Sequence, residues 1–142
     1  MMTQSPNPPP SLIALRIIWF ALIMGQVVFA AVVLTMLAHP GQKPLPPVFL
    51  YVDVVMLATM IPIAFVVRAI LYRNGRTSSG TVAPAAYATG NIIFWAMCEG
   101  SAFFSLVCTM LNGGPGTPLL LAGIALAVQI ANFPTGRPLR EG

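Results

Sequence analysis

The chain has 142 residues, of which 57% are hydrophobic and 7% charged, with a net charge of +4. An ordinary soluble domain is about 25% charged, so this chain has too little polar surface to keep a folded core in water, and lipid is the expected solvent for most of it. The apolar stretches leave no length for a soluble domain, and the basic balance needs no nucleic-acid partner because attraction to anionic headgroups accounts for it.

Residues 1–11, MMTQSPNPPPS, are polar and proline-rich and read as an extended tail, with Ser11 placed to cap a following helix. The first apolar segment covers 17–38. A secretory signal peptide ending at Val28-Phe29-Ala30 is the competing reading. It is disfavoured because no basic residue precedes Arg16 and the apolar run continues to Ala38. Prolines 40, 44, 46 and 47 make the next loop extended. His39, the single histidine, reads as a capping or interfacial residue, since no further metal ligands stand near it.

The second segment covers 48–71. Asp53 lies one to two turns from its start, where depth alone suggests an interfacial group able to pair with Lys43. Pro62 is expected to kink this helix, and Arg68, one turn from its end, to snorkel toward headgroups. In the longest loop, 73–90, Asn74-Gly75 and Ser79-Gly80 are turn signals, and Pro84-Ala85-Ala86-Tyr87 is suited to open the third helix. The third segment covers 92–111 and the fourth 118–133, joined by a short uncharged loop that makes them antiparallel neighbours. The fourth is marginal in length for a span.

Loop charge settles the expected topology. If all four segments cross, Arg16, Arg68, Arg73, Arg76, Arg137 and Arg140 share one side and only Lys43 lies on the other. The positive-inside rule then predicts an all-α, integral membrane four-helix bundle at 12–134, with both termini cytoplasmic and a short basic tail at 135–142. An internal echo adds detail: RIIWFALIMGQVVF from Arg16 aligns with NIIFWAMCEGSAFF from Asn91. Both copies carry Ala-xxx-Gly-xxx-Phe, so Ala21 and Gly25, with Ala96 and Gly100, are expected at helix-packing faces of a duplicated two-helix hairpin.

Glu99, near the middle of the third segment, is the residue that most needs an explanation, because an ionisable group at that depth is costly. Arg68 and Gln129 are its candidate partners in an intramembrane ion-pair or proton site, with Asn132 and Arg16 at similar depth. A locking role and a proton- or cation-carrying role both remain open. Beside it, Asn91, Cys98, Ser101, Ser105, Cys108 and Asn112 fall on one stripe of the helix, read as a packing face or a polar solute path. Cys98 and Cys108, ten residues apart on one helix, are too far apart to pair.

The run Glu99-Gly-Ser-Ala102-Phe-Phe104-Ser105-Leu106-Val107 resembles the ion-binding helix of rotor-ring c subunits of ATP synthases. The resemblance implies that Glu99 is the ion-carrying carboxylate. The glycine-rich partner helix of that family is replaced here by Met60, Pro62 and Phe65, and its loop motif is missing. Small multidrug transporters also combine four helices with one membrane glutamate, but theirs is on the first helix, where this chain has Met24.

With one histidine, three acids and no phosphate-binding glycine loop, neither a nucleophile with its base nor a metal site can be assembled, so no enzyme activity and no cofactor is expected. The expected function is that of a small accessory or structural subunit packed among other membrane protein subunits of a bacterial inner membrane. The alternative is a proton- or cation-translocating subunit that uses Glu99.

Overall fold

A computed structural model describes residues 11–36, 46–113 and 116–139. The proline-rich tail at 1–10, His39, Lys43, most of the proline loop and Arg140 lie outside the described residues, and with them the expected Asp53–Lys43 pair. The chain is all-helical: α1 (Leu12–Met36), α2 (Pro47–Asn74), α3 (Pro84–Leu111) and α4 (Thr117–Ala131), then one 3₁₀ turn at Arg137–Leu139. Among the described residues the three long helices are long and apolar enough to cross a membrane, while α4 is apolar but shorter. Its 15 residues rise about 22 Å, against a hydrocarbon core of about 30 Å.

The helices start where local chemistry dictates. Ser11 Oγ accepts the amide of Ala14 at 3.2 Å and caps α1. Pro47 and Pro84 open α2 and α3, where a missing N–H costs nothing. Helix α3 therefore begins eight residues before the apolar run, and its extra turns carry Tyr87 and Asn91, which are buried in protein. Between α2 and α3 the chain turns through Thr77 and Gly80, and Gly80 takes a positive φ of 84°. Helix α2 runs unbroken through Pro62. Helix α4 stops at Ala131 because Pro134 excludes helical geometry from the residue before it and lacks an amide of its own.

Helix α3 is the centre of the molecule and packs against each of the other three. Half of its most apolar stretch is buried (50%), against 17% for α1 and 11% for α2. The apolar surface of α1 and α2 therefore faces outward through side chains such as Ile17, Phe20, Val48 and Val55, as lipid-facing helices require. Helices α1 and α3 point the same way, with Phe29 edge-on to Phe103 at 5.1 Å. Helices α2 and α4 run the opposite way, and Ala102 and Ala125 meet with Leu57 in one small cluster. The largest cluster lies at the other end of α3, where Leu15, Ala64, Tyr87, Phe94 and Trp95 surround Cys98.

Candidate functional site

The described arginines gather at one end of the molecule, and the segment after α4 folds back over that end. Trp19 Nε1 donates to the carbonyl of Gln129 at 3.0 Å and Trp95 Nε1 to that of Asn132 at 3.3 Å. Two indoles thus bind carbonyls at the end of α4, where the Gln129 carbonyl also accepts the amide of Asn132 at 3.2 Å. Arg68 Nη2 donates to Asn132 Oδ1 at 2.8 Å, and its guanidinium stands 4.2 Å from the centre of the Phe94 ring. Arg68 is therefore turned into the protein and does not snorkel outward as depth alone suggested. Asn91 Nδ2 donates to Tyr72 Oη at 2.7 Å and to the carbonyl of Tyr87 at 2.9 Å, while Tyr87 Oη accepts the amide of Gly136 at 3.0 Å. Val82 donates its amide to the carbonyl of Pro138 at 2.8 Å and completes the lacing. Gly136 has a φ of +77°, and a Cβ there would meet Leu12 at 2.9 Å, so the return of the chain requires glycine.

Two polar groups are buried farther along the bundle. Gln26 of α1 donates from Nε2 to Gln129 Oε1 of α4. The outer atoms of this pair, Gln26 Oε1 and Gln129 Nε2, have no hydrogen-bond partner among the described residues. Beyond them lies Asp53, 1% exposed, whose Oδ1 accepts from Ser105 Oγ at 2.6 Å. Its second oxygen, Oδ2, is buried without a partner among the described residues. Ser101, Ser105 and Thr109 each also donate to the carbonyl four residues back, at 3.0, 3.0 and 2.8 Å. The polar stripe of α3 is thus an interior face: Asn91, Cys98, Ser101, Ser105 and Cys108 are all buried, and Asn112 is half-buried.

Glu99 stands apart from this interior. It is half-buried, next to exposed Ala96 and Gly100, and makes no side-chain hydrogen bond or ion pair among the described residues. The three residues expected to share a site are not brought together: Arg68 is held by Asn132, Gln129 by Gln26, and Glu99 by neither. The small residues also fall elsewhere than expected. Helices α1 and α3 do touch, through Phe29 and Phe103, but Ala21, Gly25, Ala96 and Gly100 are exposed. A Cβ added to Gly25 or Gly100 would meet nothing within 4 Å, so these positions do not close the α1–α3 contact. Glu99 is one turn before Phe103 and Gly25 one turn before Phe29, which sets the acid level with this open, small-residue surface.

No protein-family model, curated protein or solved structure matches this chain. Its function has to be read from its own side chains. Sequence reasoning placed Asp53 at the interface and missed that it is the more buried of the two described acids. It also missed that Gln26 is the partner of Gln129. Nothing local marks either one, because α1 and α2 are apolar around their whole circumference and only tertiary packing decides which side turns inward.

Proposed function

We propose that the chain is a small, non-enzymatic structural or accessory subunit of a larger membrane complex, and that it receives a transmembrane helix of a partner on the surface around Glu99. The observation that carries the reading is a half-buried carboxyl without a partner among the described residues, midway along an apolar helix and flanked by exposed Ala96 and Gly100. A carboxyl facing hydrocarbon is costly, and a partner helix supplying a hydrogen-bond donor or a cation removes that cost. Small residues beside it let a second backbone approach closely, and Ala21 and Gly25 at the same level widen the surface.

The same reading has four spans with both termini on the cytoplasmic side of a bacterial inner membrane. Its support is the gathering of Arg16, Arg68, Arg73, Arg76 and Arg137 at the end where α1 begins and α2 finishes. Purification of the tagged protein in a gentle detergent, with native mass determination, tests the proposal. Larger membrane subunits are expected to come with the wild type and to be lost from Glu99→Leu. A chain that is alone, or only self-associated, overturns it. A Glu99→Gln variant that stays assembled yet loses proton flux would instead favour the translocating role.

A further inference from the structure

The two acids of the membrane-spanning helices are in opposite circumstances, and the buried one carries a separate inference. Asp53 is enclosed between α2 and α3 and has one hydrogen-bonding neighbour among the described residues, Ser105. Ser105 has a single hydroxyl proton but two acceptors within reach: Asp53 Oδ1 at 2.6 Å and the carbonyl of Ser101 at 3.0 Å. One proton cannot serve both fully. If the carboxyl carries a proton of its own, Asp53 donates to Ser105 Oγ, Ser105 donates to Ser101, and both contacts are satisfied in series. The 2.6 Å separation lies within the range of an O–H···O bond in either direction, so what favours the proton is the need to serve two acceptors.

We propose that Asp53 is a proton-binding site reached from the Pro46 end of the molecule, and that the bound proton stabilises the α2–α3 contact through Ser105. The route would run through a cavity of about 220 Å³ on the Pro46 side of the pair, lined by Pro46, Leu50, Cys108, Asn112 and Thr117. Leu50 precedes Asp53 by three residues and Cys108 follows Ser105 by three, so the lining comes from the neighbouring turns of the two helices that hold the pair. A metal ion is a poorer occupant. Hard cations take about six oxygen ligands, whereas one carboxylate and one hydroxyl converge here.

The surroundings contain no competing charge among the described residues. Helix α4 has no titratable side chain, α1 has only Arg16 at its far end, and α3 offers Cys108 beside the site and Glu99 six residues before Ser105. On release, the proton passes to water in the cavity and the hydroxyl proton of Ser105 turns wholly to Asp53. The carbonyl of Ser101 loses that donor, and a carboxylate with one hydrogen bond is left in an apolar contact. The α2–α3 bond through Ser105 persists on deprotonation, and the cost falls on the buried charge, which makes the deprotonated contact the less stable one.

Infrared spectroscopy of the full chain reconstituted in lipid vesicles, stepped in pH, tests this. A protonated-carboxyl carbonyl band is expected that fades as pH rises, is absent from Asp53→Asn and persists in Glu99→Gln. Ser105→Ala should shift the band to higher wavenumber without abolishing it, and Leu50→Trp, which fills the cavity, should slow its response to a pH step. Absence of the band from the wild type at every pH, as a permanent ion pair with Lys43 would produce, overturns the proposal. So does a band that survives Asp53→Asn. Should that variant fail to fold, an unshifted band in Ser105→Ala is the overturning result.

Discussion

At the arginine-rich end, the side chains around α4 find partners: two indoles, an arginine, two tyrosines and two asparagines bind carbonyls, amides and each other across all four helices. From the level of Gln26 and the Gln129 side chain toward the Pro46 end, three buried polar atoms have no hydrogen-bond partner among the described residues: Gln26 Oε1, Gln129 Nε2 and Asp53 Oδ2. An unsatisfied buried polar atom costs about 1–3 kcal/mol. The contrast separates a half that fixes how the helices meet from a half that retains groups with unused bonding capacity. Polar side chains in one small membrane domain thus serve two ends, and the count of their partners tells which.

The sharpest way to break the contrast is to attack the fixed end. Trp95 is fully buried and its indole holds α4, so Trp95→Ala should cost about 3–5 kcal/mol, measured as lost resistance to heat or SDS in detergent. Gly90 allows α3 to pass Tyr72 so closely that a Cβ would lie 2.8 Å from its ring, and Gly90→Val should cost about 1–3 kcal/mol by the same assay. Tyr87→Phe removes one acceptor from the amide of Gly136 and should cost about 1 kcal/mol.

Substitutions in the other half should behave differently. The double variant Gln26→Leu with Gln129→Leu removes both half-used amides together and is expected to be neutral or stabilising, whereas either single change strands the other amide and should destabilise. A double variant as damaging as Trp95→Ala would erase the proposed distinction between the ends. Glu99→Gln is expected to leave the denaturation midpoint of the isolated chain unchanged, since the acid has no contact of its own there to lose.

Composition and hydropathy made the helices legible, and proline positions made their starts legible, because both signals are local. Which side of each helix turns inward was legible only for α3, where the run from Asn91 to Cys108 sets small and polar residues on one face. On α1 and α2 apolar residues surround the axis, so Gln26 was given no partner in advance and Asp53 was offered Lys43 on depth alone, not Ser105. The repeated Ala-xxx-Gly pattern pointed to close packing, yet its four residues are exposed. A small residue permits a close approach without compelling one, and the phenylalanines one turn on make the α1–α3 contact. Arg68 was expected at the headgroups on depth alone, and Asn132 with the Phe94 ring draws it inward.

The lacing of the arginine-rich end also bears on the order in which the molecule is made. Residues 132–139 leave the ribosome after all four helices, yet their backbone or side chains hold Trp95, Arg68, Tyr87 and Val82. Until they arrive, α2 and α3 can meet through Tyr72–Asn91 and Asp53–Ser105, but the ties that residues 132–139 make are missing. A translating ribosome stalled before Asn132 would leave Trp95, Arg68, Tyr87 and Val82 without these partners.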